Sequence, residues 1–144
     1  MRVLFVKVRL TQGSALGGFE NSVLEPLEFE YLAGAIPHHE TRCLDLRREA
    51  DGALEKTLSE FAPDIVASTA NTVDVYAVQA LFRQTKTLCP QVLTVVGGYH
   101  PTYRPEDFNN CDIDLIVQGQ GEATFRELVD RYRNPAVNSQ TFLG

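Results

Sequence analysis

The segment Asp64–Leu88, which reads DIVASTANTVDVYAVQALFRQTKTL, decides the fold. Its first part, residues 64–69, is a short, mainly apolar run of the kind that forms a buried strand. Asn71 and Asp74 are then spaced as a helix N-cap and its acidic partner, and an apolar face continues until the chain reaches Pro90. A strand that leads directly into a helix is the repeating unit of parallel α/β sheets.

The same strand-to-helix pattern recurs in both directions from this segment. Pro26–Ile36 begins with proline and stops before a second proline, as a crossover helix does. Further apolar helical faces are formed by Leu54, Leu58 and Phe61, and by Phe125, Leu128, Val129 and Tyr132. The five predicted strands are Arg2–Val8, Thr41–Leu46, Asp64–Thr69, Leu93–Val96 and Leu115–Val117.

Five parallel strands joined by right-handed crossovers allow few topologies. We therefore predict a three-layer, doubly wound, flavodoxin-like (Rossmann-like) α/β domain with strand order 2-1-3-4-5 over residues 1–133. The polar ending, residues 134–144, lacks helical or strand periodicity and is predicted to be a linker.

Composition and charge exclude several classes of protein. The net charge of −6 gives no electrostatic reason to bind nucleic acid, and the apolar runs are too short to span a membrane. With no secretory signal visible, we expect a cytoplasmic protein. Cys43, Cys89 and Cys111 are odd in number and widely spaced, so we expect reduced thiols that behave as small buried residues.

Parallel sheets of this kind bind ligands beyond the carboxyl ends of their strands. The loops predicted there are long or rich in small residues, whereas the opposite edge carries ordinary turns. The loop after the first strand, Arg9–Glu25, has a length that usually signals function. The candidate binding residues after the third, fourth and fifth strands are Ser68, Thr69, Ala70, Asn71, Thr72, Gly97, Gly98, Tyr99, His100, Thr102, Gly119, Gln120, Gly121 and Glu122.

Glycines at strand ends let a broad, flat ligand lie against the backbone, although Gly98 by itself fits a simple turn out of the strand equally well. Hydroxyl and amide side chains at the start of the third helix add donors and acceptors for a polar ligand tail. Here too an N-cap would explain Asn71 alone, but it would leave Ser68, Thr69 and Thr72 without a role.

Three stretches carry a family resemblance: STANTV at residues 68–73, VVGGYHPT at 95–102 and VQGQGEATFREL at 117–128. Together with the acidic PEDF that follows the second stretch, they resemble the N-terminal B12-binding domain of cobalamin-dependent radical SAM enzymes. The resemblance extends over almost the whole chain. It implies a cobalamin whose tail and one ring face are surrounded by the third, fourth and fifth strand loops. It also implies a C-terminal radical SAM domain in the same chain, with a [4Fe-4S] cluster and S-adenosylmethionine.

The chain departs from two related patterns. The methionine-synthase-like DxHxxG, whose histidine ligates cobalt, is missing, because the loop after the first strand contains no histidine. A CxxxCxxC cluster motif is also missing, so we do not expect catalysis by this chain alone. With these departures, the resemblance implies a domain that binds and orients cobalamin, without the DxHxxG histidine, for a methyltransferase or cyclase.

Other functions remain open. The same fold can hold a flavin or nucleotide, yet residues 11–15 lack the dense hydroxyl pattern of a phosphate cradle. A dinucleotide motif at residues 119–121 fails because Thr124 replaces its third glycine. A response-regulator receiver is not expected, because this chain has no acidic pair after its first strand and no lysine after its fifth. An enzyme built on Glu106, Asp107 or Glu122, and an interaction domain without a cofactor, are the remaining alternatives.

The three histidines and the two cations near the end of the first strand have different expected roles. His38 and His39 lie at the wrong edge of the predicted sheet and are expected to be solvated turn residues. His100 lies at the right edge, where it can contact a ligand, make a structural hydrogen bond or ligate cobalt. Lys7 and Arg9 can meet a phosphate, although such residues more often pair with a carboxylate.

Overall fold

The computed structural model describes residues 1–9 and 25–132 of the chain. They form a five-stranded parallel sheet with the order β2-β1-β3-β4-β5, flanked by helices on both faces. The predicted flavodoxin-like topology is therefore confirmed. The strands are β1 (Arg2–Lys7), β2 (Glu40–Asp45), β3 (Ile65–Thr69), β4 (Leu93–Gly97) and β5 (Leu115–Ile116).

Each predicted helix is present within a few residues of its expected bounds. The helices are α1 (Leu27–Ala35), α2 (Ala53–Phe61), α3 (Val75–Leu88), α4 (Tyr99–Tyr103) and α5 (Gly121–Tyr132), with 3₁₀ turns at Thr72–Asp74 and Pro105–Phe108. The expected cap also forms. The Asp74 carboxylate accepts from the backbone N–H of Asn71 at 3.0 Å and from its side-chain amide at 3.2 Å.

The sheet separates two apolar cores, because successive side chains of a strand point to opposite faces. Helices α2 and α3 cover one face, where the core contains Leu4, Val6, Leu58, Val66, Val78, Phe82, Val96 and Phe108. Helices α1 and α5 pack together over the other face, where the core contains Val3, Phe5, Phe29, Ile65, Val95, Phe125 and Val129. We call these the α2/α3 face and the α1/α5 face.

Three expectations need correction. The strand β2 is not buried on both sides. Only Leu44 within it is buried, because β2 lies at the edge of the sheet. The three cysteines are free thiols, but Cys43 and Cys111 are exposed and not buried. The segment after β4, which was assigned as a loop, contains the short helix α4.

Two sequence predictions concern residues outside the described parts of the chain, namely most of the loop 9–25 and the linker 134–144. Within the described parts, none of the helices combines the length and the apolarity required to cross a lipid bilayer.

Candidate functional site

A cleft opens between α1 and α5 above the carboxyl ends of β3, β4 and β5, with a volume of about 390 Å³. Its lining is mostly apolar and small. The lining residues are Glu28, Phe29, Tyr31, Leu32, Ala67, Ser68, Thr69, Val95, Gly97, Gly98, Val117, Gly119, Gly121, Glu122 and Phe125. The cleft lies at the sheet edge that the loop sequences predicted, and it extends down into the α1/α5 face.

Half of the predicted site residues border this cleft. They are Ser68, Thr69, Gly97, Gly98, Gly119, Gly121 and Glu122. The others, Ala70, Asn71, Thr72, Tyr99, His100, Thr102 and Gln120, lie in the same loops but not among the lining residues. The structure thus brings the three loops together. Half of the predicted residues line the cleft, and the other half lie elsewhere in these loops.

The β3 and β4 loops are joined through their backbones. The Ala70 N–H donates to the Gly97 carbonyl at 2.9 Å, and the His100 N–H donates to the Ala70 carbonyl at 3.0 Å. A Cβ added to Gly98 would lie 3.0 Å from the Ala70 nitrogen, and Gly98 has a φ of +105°. Glycine at position 98 is therefore required by the close approach of the two loops, which is a structural need independent of any ligand.

Thr102 joins the β4 and β5 loops. Its hydroxyl donates to the Gly98 carbonyl at 2.8 Å and accepts from the Gly119 N–H at 3.0 Å. Gly119 itself has a φ of +76°, and a Cβ added there would meet nothing within 4 Å. Gly119 therefore leaves open space at the edge of the cleft, whereas Gly98 is closely packed.

His100 is held in a network of its own. The side chain is buried, its Nδ1 lies 3.1 Å from Thr72 Oγ1, and its Nε2 lies 2.7 Å from Asp107 Oδ2. The ring also meets the edge of Phe108. Of the three possible roles of His100, the structure shows the structural hydrogen bond, which links the β3 loop to the segment after α4.

The hydroxyl of Ser68 does not point into the cleft. Along β3, Ala67 and Thr69 face the α1/α5 side, and Ser68 faces the α2/α3 side, where its Oγ donates to the Val6 carbonyl at 2.8 Å. Only the backbone of Ser68 can border the cleft. The neighbouring Thr69 therefore supplies the hydroxyl on this wall.

Tyr99, Asn71 and Gln120 are exposed at the same edge. Tyr99 has 66% of its surface exposed, and its ring contacts that of Tyr103 with the centroids 4.8 Å apart. These side chains lie in the same three loops as the lining residues and are accessible to a ligand.

A charged group in the cleft was not predicted from the sequence. Glu28, in the first turn of α1, accepts from Lys7 Nζ at 2.9 Å and from Thr69 Oγ1 at 3.2 Å. Burial raises the pKa of Glu28, but the hydrogen bonds and the charge of Lys7 outweigh it, so that the net pKa is lowered. Glu28 is therefore ionised at neutral pH.

The position of Glu28 near the predicted site could have been inferred from the topology. A helix that follows a parallel strand begins at the carboxyl edge of the sheet, so the first turn of α1 must lie beside the β3 loop. The same reasoning accounts for Phe29, the next residue, and for Leu32, one turn further along, which also line the cleft.

Lys7 and Arg9 pair with carboxylates, which was the expected alternative to a contact with a phosphate. Lys7 pairs with Glu28, and Arg9 approaches Asp51 Oδ1 at 3.5 Å and donates to the Leu46 carbonyl at 3.0 Å. His39 was expected to be a solvated turn residue, but its side chain is only 4% exposed and its Nε2 lies 3.6 Å from Asp130 Oδ1. His38 is exposed, as expected. Packing of the turn against α5 buries the His39 ring.

A model of the B12 binding domain family matches residues 20–129. Among curated relatives, the chain is 36% identical over 110 residues to an uncharacterized methyltransferase of Pyrococcus horikoshii, which covers 73% of the chain and 24% of the relative. It is 30% identical over 141 residues to an anaerobic magnesium-protoporphyrin IX monomethyl ester cyclase of Cereibacter sphaeroides, covering 92% of the chain and 22% of the cyclase.

A third relative is the cobalamin-dependent radical SAM methyltransferase TokK of Streptomyces tokunonensis, 32% identical over 82 residues, covering 56% of the chain and 11% of TokK. The chain thus spans about a quarter or less of the length of these relatives.

Solved structures share the fold. The receiver domain of RcsB from Salmonella enterica superposes with a TM-score of 0.61 at 13% identity, over 94% of this chain and 89% of that one. A cobalamin-binding protein from Desulfitobacterium hafniense superposes with a TM-score of 0.55 at 12% identity, over 91% and 58%. At such identities these likenesses show the fold alone.

The family match covers most of the chain and confirms the resemblance read from the three loop sequences: the chain belongs to the B12-binding domain family.

Proposed function

We propose that this chain binds and orients a cobalamin at the carboxyl edge of its sheet, as the accessory domain of a B12-dependent radical SAM enzyme of the methyltransferase or cyclase type. The observation that carries the proposal is the cleft between α1 and α5, which opens at the glycine-bearing loops in a chain of the B12-binding family. The cleft would receive the nucleotide tail, and the corrin ring would lie across the loops outside it.

The cleft fits one part of the cofactor. Cobalamin combines a wide corrin ring that carries amide side chains with a nucleotide tail that ends in an aromatic base. A volume of about 390 Å³ is at the small end for ligand sites, so it suits the tail base and not the ring. Phe29, Val95, Val117 and Phe125 supply apolar walls for a flat base, and Thr69 and Glu28 supply polar groups in the lining.

The surrounding loops suit the ring. Gly119 leaves open space beside the cleft, and the exposed Tyr99, Gln120 and Asn71 offer an aromatic surface and amide groups at the same edge. Because the loop after β1 contains no histidine, cobalt ligation in the methionine-synthase manner is not expected. Both ring nitrogens of His100 already have partners, which argues against His100 as an alternative ligand.

The chemistry would belong to a longer protein. Cobalamin, when bound, can supply a methyl group or mediate a radical step. In the curated relatives this chain matches only a small part of the length, and the name of TokK couples cobalamin to radical SAM chemistry. We therefore infer a radical SAM domain with a [4Fe-4S] cluster and S-adenosylmethionine in the same protein, and a role for this chain in holding the cofactor without catalysing a reaction by itself.

Equilibrium dialysis tests the proposal. The 144-residue chain is dialysed against hydroxocobalamin, against cobinamide, which lacks the nucleotide tail, and against FMN. We expect weak, saturable uptake of hydroxocobalamin, since a partner domain would complete the site. Uptake of cobinamide should be at least about tenfold weaker, because the cleft contributes nothing to its binding. Absence of cobalamin uptake at high concentration, together with tight binding of FMN, would refute the proposal and favour the flavin alternative.

A further inference from the structure

We propose that Glu28 is a specificity-determining residue, which keeps phosphomonoester ligands such as FMN out of the cleft by holding Lys7 in an ion pair. The inference rests on the proposed function in one respect, that the cleft is the ligand site. It concerns a residue pair that none of the three loop sequences contains.

The ion pair lies at the junction of strand and helix. Lys7 ends β1 and Glu28 stands in the first turn of α1, and the two side chains meet with Nζ and Oε1 2.9 Å apart. The side chain of Lys7 is 14% exposed and that of Glu28 is 38% exposed, so the cation is the more enclosed partner. Thr69 adds a hydrogen bond to the same Oε1, which fixes the carboxylate against the β3 loop.

Within the described parts of the chain, no cation is among the residues that line the cleft. The charged lining residues are Glu28 and Glu122, and both are acidic. Arg9, the next cation beyond β1, donates to the carbonyls of Leu46 and Glu49 on the α2 side of the molecule. A phosphate that enters the cleft would therefore meet two carboxylates, and the nearby Lys7 is already paired with one of them.

This arrangement discriminates between two kinds of phosphate. A terminal phosphomonoester carries up to two negative charges at neutral pH, and a partly enclosed site repels it strongly unless it offers a cation. The phosphate of a cobalamin tail is a diester with one charge, and it lies between the base and the ring, so it can remain at the mouth. The same fold accommodates FMN at this edge in other proteins, and Glu28 therefore separates two ligands that the topology alone would allow.

The test is a gain of binding. Glu28→Gln keeps the size and the acceptor oxygen, removes the negative charge and releases Lys7. We expect the affinity for FMN, and for inorganic phosphate as a simple probe, to rise at least about tenfold at low ionic strength. The gain should shrink as salt is added, because the new attraction is between charges.

Two further variants separate the roles of charge and cation. Glu30→Gln removes the same charge from an exposed position on the same helix, and it should change FMN affinity less than about twofold because Glu30 does not contact Lys7. The double variant Glu28→Gln with Lys7→Met should lose the gain. Glu28→Ala provides a second way of releasing Lys7, and a thermal melt of each variant verifies that it is folded.

Hydroxocobalamin uptake is measured on the same samples. If the unsubstituted chain binds cobalamin but neither Glu28 variant gains affinity for FMN or phosphate, the inference is wrong and the proposed function stands. Tight FMN binding by the unsubstituted chain would also overturn the inference. If no sample binds cobalamin, the proposed function fails, and the FMN measurements still decide whether Glu28 controls the cleft.

Discussion

The two faces of the sheet are built from the same strands but are packed differently. On the α2/α3 face, apolar side chains continue from β1 and β3 through Phe82 and Val78 to Phe108, and a pocket of about 370 Å³ lies between α2 and α3 beyond the ends of β1 and β2. On the α1/α5 face, packing is complete around Phe5 and Val129 but gives way to the cleft near the strand ends. Above β3 and β4 the domain is thus closed on the α2/α3 face and open on the α1/α5 face, and we call these the closed face and the open face.

Small residues produce the difference. On the open face the strand ends place Ala67, Gly97 and Thr69 under the helices, and Gly121 begins α5 beside them. On the closed face, Val66 and Val96 occupy the neighbouring strand positions and are fully buried. Because alternate residues of each strand face opposite sides, the same short segments form both a packed core and a cavity.

The largest expected effect is a loss of stability on the closed face. Phe82 is fully buried, and Phe82→Ala should lower the free energy of unfolding by about 3–5 kcal/mol, since the cavity it leaves is sealed. Phe125→Ala on the open face should cost at least about 1 kcal/mol less, because it enlarges a space that already opens to solvent. Urea unfolding measures both. Equal losses would show that the two faces are packed alike.

The next effect concerns the link between the β3 and β4 loops. Gly98→Ala places a Cβ against the Ala70 backbone at a φ of +105° and should cost about 3 kcal/mol. Gly52→Ala is the matched control, because Gly52 also has a positive φ, of +88°, but open space around it, and it should cost about 1 kcal/mol. If the two substitutions cost the same, then the close approach of the loops does not constrain position 98.

The smallest effect is the pH dependence contributed by Glu28. Because its pKa is lowered in the folded protein, Glu28 stabilises the fold above its ordinary value of 4.5, and this contribution is lost as the pH falls through the lowered pKa. Glu28→Gln should therefore be less stable than the unsubstituted chain at neutral pH, by no more than about 1 kcal/mol given solvent screening. The stability gap, measured by urea unfolding, should narrow below pH 4.5. A gap that widens on acidification would contradict the lowered pKa.

The sequence predicted the fold well because the signals were local. Hydrophobic runs and caps such as Asn71 with Asp74 act over a few residues, and right-handed crossovers then leave little choice of topology. The exposed edge strand β2 was misjudged, although its sequence, Glu40–Asp45, carries three charged residues that already argue against double burial.

The site was predicted at the level of loops and not of side chains. Ser68 could have been assigned to the closed face from the alternation along β3, since Ala67 and Thr69 lie to either side of it. Thr72, one partner of His100, is 28 residues away along the chain, and Glu28, the partner of Lys7, is 21 residues away. Such contacts depend on how the helices pack on the sheet. No local pattern specifies that packing.

A methyl NMR titration with hydroxocobalamin tests the central claim most directly. Val95 and Val117 line the cleft, whereas Val66 and Val78 lie in the core of the closed face. If the cofactor tail enters the cleft, the methyl resonances of Val95 and Val117 should shift in proportion to occupancy while those of Val66 and Val78 change little. Shifts confined to the closed face, or cobalamin binding that leaves Val95 and Val117 unchanged, would contradict the account.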